Sequence, residues 1–276
     1  MKTLRLSSGI ELAYTEEGSG SHTMLMLHGM GSTREAWRKL IAGLKDRYRC
    51  IAIDLPNYGQ SSDGDFPSTM SYFASVIWEF LQAKGIDSVQ LCGHSMGGQI
   101  ALVMALQRPF AVEKLFLFSP AGFETFASHE KLILKGFYAA PNMMALSKDQ
   151  IRQNFEANFF QFPADAEFMV QERYRLQQTP RYESYCRMIP KCASGMLDEP
   201  VLKFLPSIAA PAMVFFGLQD QLIPNRLVHP TQTTKQVAQK GVSRMPIARL
   251  HLLDRCGHFP HWERVEEVLT WMGKEI

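Results

Sequence analysis

The sequence predicts an α/β protein: a mostly parallel sheet covered by helices on both faces, with a helical segment inserted late in the chain. Three observations predict it. Short apolar runs such as Met24-Leu25-Met26-Leu27, Cys50-Ile51-Ala52-Ile53 and Lys114-Leu115-Phe116-Leu117-Phe118 alternate with helical stretches. No strand-like run occurs from about Phe123 to about Leu205. The strand rhythm then returns at Ala212-Met213-Val214-Phe215-Phe216-Gly217. The expected division is a core of residues 1–122 and 206–276 and a helical cap, or lid, of residues 123–205.

Taken in order, Lys2 to Leu6 and Ile10 to Thr15 alternate apolar and polar around Ser8-Gly9, which reads as an antiparallel hairpin at a sheet edge. Met24 to Leu27 suits a strand buried on both faces and ends in the turn His28-Gly29-Met30-Gly31-Ser32. Ser32 or Thr33 is placed to cap a helix through Trp37, Leu40 and Leu44. A strand from Cys50 to Asp54 and an extended loop follow. The next helix runs from about Thr69 to Ala83, with Phe73, Ile77, Phe80 and Leu81 on one face.

The Val89 strand then leads through a glycine-flanked turn to a helix that Pro109 stops. In the insertion, helices are expected over Glu130–Ala139, Asp149–Phe160 behind a Ser147 cap, Ala164–Leu176 and Arg181–Lys191. Pro141, Pro163, Pro180 and Pro190 punctuate them. A helix near Thr233 to Gln239, a last strand from Arg249 to Leu253 and a terminal helix from Trp262 to Met272 complete the reading.

Composition narrows the partners. At 276 residues and 46% apolar, the chain can bury a large core. A net charge of +2, from 29 basic and 27 acidic residues, supplies no field that implies nucleic acid or an anionic membrane. The five cysteines are scattered and lack C-x-x-C spacing, which favours a reducing compartment over disulfides or a zinc site. With neither a signal-peptide apolar region nor a stretch of membrane-spanning length, the expectation is a soluble, cytoplasmic protein. The partner expected is a small-molecule substrate; oligomeric state is left open.

The chemistry concentrates at Gly93-His94-Ser95-Met96-Gly97, a G-x-S-x-G pattern between strand and helix. A serine at so tight a bend sits in strained backbone above the sheet, at the positive end of the next helix. Chain segments pass so close that side chains at 93 and 97 would collide with them, so Gly93 and Gly97 fit there. The Met96 N–H is placed to meet a developing oxyanion, and the Met30 N–H from His28-Gly29-Met30-Gly31 is its expected counterpart. His28 is read as ordering that loop, with Gly29 and Gly31 supporting it.

Asp220 and His258 each follow the end of a strand, where parallel sheets open a crevice for ligands. The order Ser95, Asp220, His258 fits nucleophile, orienting acid and base. A histidine base also predicts that activity fails in acid, because an imidazolium cannot accept the serine proton. His94 reads as structural, and His261 as a surface or cap-contact residue.

These pieces, with Asp54-Leu55-Pro56-Asn57-Tyr58-Gly59-Gln60-Ser61, Gly217-Leu218-Gln219-Asp220 and Gly257-His258, resemble the α/β-hydrolase superfamily over essentially the whole chain. The resemblance implies a mostly parallel eight-stranded sheet with a helical cap after the sixth strand. Asn57 departs from it, since many relatives carry glycine there. The resemblance also offers Glu124, after the strand preceding that of Asp220, as the acid position that some relatives use instead. No metal or organic cofactor is implied.

The leading expectation is a serine hydrolase that cleaves an ester or related acyl bond of a small, largely apolar molecule. The stretch Asp254 to Glu263 is also similar to its counterpart in hydrolases of carbon–carbon bonds in ring-cleavage products. Such substrates carry a carboxylate, and Arg173, Arg175, Arg181 and Arg187 are the cap arginines available to hold one. Perhydrolase-like activity is a weaker variant. A ligand-binding protein on a hydrolase scaffold is the reading from another class. The serine disfavours the epoxide hydrolase and haloalkane dehalogenase branches, which carry aspartate at that position.

Overall fold

The computed structural model describes residues 1–274. Eight strands form one sheet: β1 (Lys2–Arg5), β2 (Glu11–Glu17), β3 (Thr23–Leu27), β4 (Arg49–Ile53), β5 (Val89–His94), β6 (Val112–Phe118), β7 (Ala212–Gly217) and β8 (Ala248–Leu253). Their spatial order is β1-β2-β4-β3-β5-β6-β7-β8. The β1–β2 and β2–β4 pairs are antiparallel and the rest are parallel.

Alternation along the buried strands feeds two cores. Leu25, Leu27 and Leu91 point to one face, with Phe73, Ile77, Ile100 and Val237. Met24, Met26 and Cys92 point to the other, with Trp37, Leu40, Val268 and Met272. The first face is covered by α2 (Met70–Ala83), α3 (Met96–Gln107) and α9 (Thr234–Val242); the second by α1 (Arg38–Leu44) and α11 (Val265–Gly273). Between β6 and β7 lie α4 (Ser128–Phe137), α5 (Ala140–Met144), α6 (Lys148–Glu156), α7 (Glu167–Gln177) and α8 (Arg181–Asp198). No strand interrupts them among the described residues. The remaining helix, α10 (Pro260–Glu263), precedes α11.

Several local expectations hold in detail. Thr69 caps α2 by accepting from the Tyr72 N–H at 3.1 Å, and Ser147 caps α6 by accepting from the Gln150 N–H at 3.2 Å. Others are corrected. The helix before α1 begins as a 3-10 turn over Arg34–Trp37, and Thr33 does not cap it; its hydroxyl donates to Glu172 at 3.4 Å instead. Pro190 does not end a helix, since α8 continues through it to Asp198 and buries Met188, Ile189 and Cys192. The terminal helix is broken at Arg264, whose φ of −125° and ψ of 39° leave the helical region.

The antiparallel edge is pinned by Glu16 on β2, which pairs with Lys2 at 2.8 Å, Arg49 at 2.6 Å and Lys84 at 3.2 Å. Burial opposes ionisation of Glu16, but the three hydrogen bonds outweigh it and hold the carboxyl at about 2, below its ordinary 4.5. A depressed carboxyl pKa contributes stability above the unfolded value and loses it as pH falls toward the folded one. Glu16→Gln is therefore expected to cost about 1–2 kcal/mol near pH 7, allowing for solvent screening, with the gap closing between about pH 4.5 and 2. Urea unfolding at several pH values checks this; a gap that does not shrink in acid would contradict it.

Candidate active site

The predicted residues converge at the carboxyl ends of the parallel strands, where strand-end turns leave side chains free of the sheet. Ser95 follows β5 with φ 52° and ψ −117°, a strained conformation for a residue with a side chain. The strain is held by neighbours. The Ser95 N–H donates to the Phe118 carbonyl at 3.0 Å, and the Ser95 carbonyl accepts from Gly98, Gln99 and Ala121. A Cβ on Gly97 would collide with the Leu27 carbonyl, and one on Gly93 would lie 2.5 Å from the Gly97 carbonyl oxygen. The tight approach expected at 93 and 97 is thus present.

Asp220 and His258 are buried and joined. His258 Nδ1 donates to Asp220 Oδ2 at 2.7 Å. The other carboxylate oxygen accepts from the N–H groups of Leu222 at 2.8 Å and Ile223 at 3.0 Å. With Nδ1 carrying the proton, Nε2 is left as the lone-pair nitrogen. Ser95 and His258 line one cavity of about 540 Å³. Among the described residues the Ser95 hydroxyl has no hydrogen-bond partner, so the link from Ser95 Oγ to His258 Nε2 is open here. Such links are commonly long in the free protein and tighten with substrate.

Two unspent donors flank the serine. Met96 opens α3, and Met30 lines the cavity from the loop after β3. Among the described residues neither N–H has a protein acceptor. His28 braces the loop: Nδ1 donates to the Gly29 carbonyl at 2.8 Å and Nε2 accepts from the Leu55 N–H at 3.1 Å. Burial lowers its pKa, which suits this neutral role. Gly31 lies on the far side of the loop, lining a second cavity of about 650 Å³.

A profile of the alpha/beta hydrolase fold matches residues 22–265. The chain belongs to the α/β-hydrolase fold family. It is 29% identical over 289 residues to the 2-hydroxy-6-oxononadienedioate/2-hydroxy-6-oxononatrienedioate hydrolase of Paraburkholderia phymatum, spanning 98% of this chain and 94% of that protein. The crystal structure of a probable hydrolytic enzyme from Pseudomonas aeruginosa PAO1 superposes with a TM-score of 0.88 at 22% identity, spanning 99% of this chain and 93% of that one. An esterase from Exiguobacterium antarcticum superposes with a TM-score of 0.81 at 21% identity, over 99% and 98%. At these identities the two structures speak to fold.

Other expectations for this α/β-hydrolase meet the structure unevenly. Among the described residues Glu124 makes no hydrogen bond to His258. It accepts from His229 Nδ1 at 2.5 Å and from the Asn225 N–H at 2.9 Å, and burial raises its pKa. Asn57 adopts φ 69°, a left-handed conformation that asparagine tolerates better than most, and its side chain accepts from the Gly64 N–H at 2.7 Å.

His261 is not at the surface. It is fully buried against Trp37, His94 and Phe118, and burial, with repulsion from His258, pushes its pKa down to about 3. Of the aromatics between β6 and β7, Phe126 and Tyr138 line the Ser95 cavity, while Phe155, Phe168 and Tyr185 line the second one. Arg173, Arg175 and Arg181 line the second cavity too, and Arg187 pairs with Glu183 at 2.7 Å.

Two supports were not visible in the sequence. The Asn158 carbonyl accepts from the His258 N–H at 2.6 Å. Glu263 accepts from the Gly257 N–H at 2.7 Å and the Phe160 N–H at 2.8 Å. Glu263 closes the stretch from Asp254 noted above; a backbone carbonyl such as that of Asn158 leaves no trace in residue type.

Proposed function

We propose that this chain is a serine hydrolase that cleaves an ester or related acyl bond of a small, largely apolar substrate. The observation that carries the proposal is the His258–Asp220 hydrogen bond at 2.7 Å, at the wall of the cavity that Ser95 also lines. Neutral His258 takes the hydroxyl proton as Ser95 Oγ attacks the substrate carbonyl, and Asp220 stabilises the imidazolium. The negative charge forming on the carbonyl oxygen meets the Met30 and Met96 N–H groups. The ester bond breaks as His258 returns the proton to the leaving oxygen. A water, deprotonated by His258, then attacks the acyl-enzyme, releasing the acid and restoring Ser95.

Apolar walls from Leu134, Met196, Leu202, Ile223 and Phe259 support an apolar acyl group. Leu134, Tyr138, Asn158 and Met196 come from the helical segment, so residues 123–205 are proposed to act as its lid. Intact mass after incubation with a fluorophosphonate tests the proposal. One adduct on the wild type and none on Ser95→Ala is expected. An unlabelled but folded wild type would favour the ligand-binding reading instead.

A second reading, hydrolysis of a carbon–carbon bond in a carboxylate-bearing dienone, is favoured by the full-length likeness to the Paraburkholderia hydrolase and by Arg173. Its guanidinium donates to the Gly31 carbonyl at 2.8 Å and sits 4.1 Å over the Tyr185 ring, beside the proposed oxyanion loop. Arg173, Arg175, Arg181 and Arg187 do not line the Ser95 cavity, whose basic lining is Lys131, Lys203, Arg226 and Arg244. On this reading Arg173→Ala raises KM for such a dienone by roughly 10- to 100-fold, the worth of one charge-assisted hydrogen bond, and spares simple esters. Equal losses on both substrates would reduce Arg173 to a packing role.

A further inference from the structure

His94, the last residue of β5, is buried beside Ser95 and takes no part in the chemistry above. Its ring reaches both partners of the serine. His94 Nε2 lies 2.8 Å from the His258 carbonyl oxygen. A carbonyl only accepts, so Nε2 carries the proton and donates. On its other side the ring lies against the loop that carries Met30: a Cβ built on Gly29 would be 2.9 Å from His94 Nδ1 and 3.1 Å from Ser95 Cβ.

Nδ1 has no partner among the described residues. Burial, and then repulsion from His261 and His258, holds the imidazole well below its usual pKa. The ring is therefore a neutral spacer with one N–H in use. The His258 backbone is consequently held from two sides, its carbonyl by His94 and its N–H by the Asn158 carbonyl at 2.6 Å.

We propose that His94 is a positioning residue, a strut between the Gly29 turn and the His258 carbonyl that fixes the oxyanion loop and the base at set distances on either side of Ser95. The inference rests on the serine-hydrolase reading. It differs from mere core filling because it assigns the effect to one N–H donor. Displacing a reacting group by about 1 Å costs on the order of 100-fold in rate.

The test compares His94→Phe, which keeps an aromatic body and removes the donor, with His94→Gln, whose amide nitrogen stands where Nε2 was. Rates of fluorophosphonate labelling, kcat and KM on a short-chain nitrophenyl ester, and melting temperature are measured for each. His94→Phe is expected to lower the labelling rate and kcat by roughly 10- to 100-fold with KM nearly unchanged. His94→Gln is expected to recover most of that loss.

Should His94→Phe fail to fold, His94→Asn replaces it, because its shorter amide stops short of the carbonyl. A folded variant without the donor that labels at the wild-type rate overturns the proposal. So does a His94→Gln variant as slow as His94→Phe. If the wild type itself is not labelled, it is the Ser95 reading that fails; a labelled wild type with indifferent His94 variants removes the strut alone.

Discussion

Asp220→Asn is expected to lower turnover by about 10⁴-fold while leaving the fold and ligand binding intact. The loss comes from a change of tautomer. Asp220 Oδ1 accepts two backbone N–H groups, from Leu222 and Ile223, and Oδ2 accepts from His258 Nδ1. An asparagine must keep its oxygen toward the two N–H groups, since its NH₂ there would face donors with a donor. Its NH₂ then points at His258 Nδ1 and makes that nitrogen the acceptor. The proton moves to Nε2, and the imidazole presents N–H where a base is needed. Steady-state kinetics with a nitrophenyl ester, beside circular dichroism to confirm folding, check this. A loss below about tenfold would mean that Asp220 does not set the tautomer and would reopen the role of Glu124.

Phe118→Ala is expected to cost about 3–5 kcal/mol. Phe118 ends β6, is fully buried, stacks on Phe215 with ring centroids 5.2 Å apart and meets Trp37 edge-on at 5.6 Å. These rings come from separate segments held by the sheet and the helix-facing core, so the space has no single flexible neighbour to refill it. In a domain of this size the melting temperature should fall by roughly 10 °C. Calorimetry measures it, and a shift under about 3 °C would show that the rings close over the gap.

The strand-end motifs were legible because each leaves its own residue types at fixed spacing in the chain. Gly93 is dictated by the backbone of Gly97 and Gly98, Gly97 by the more distant Leu27 carbonyl, and Thr69 and Ser147 by adjacent N–H groups. What escaped depends on distant partners. His261 looks polar in sequence, yet its ring faces find Trp37 and Phe118. Pro190 reads as a helix end, yet the burial of Met188, Ile189 and Cys192 around it outweighs its missing hydrogen bond. At the break, the Arg264 guanidinium reaches back to the Asp254 carbonyl at 2.9 Å, a contact ten residues away that local pattern does not imply. The placing of Arg173, Arg175 and Arg181 at the second cavity is likewise a matter of how separate helices meet.

The hydrogen bond from the His258 N–H to the Asn158 carbonyl joins the proposed general base to the segment proposed as its lid. A swing of that segment as a rigid flap would either tear this bond or drag the imidazole along. Admission of a substrate and readiness to react are then mechanically opposed, like a door whose handle is wired to the lamp inside. On the proposed triad and lid, such an enzyme would be idle whenever it stood open, and reactive intermediates would form only behind a closed wall.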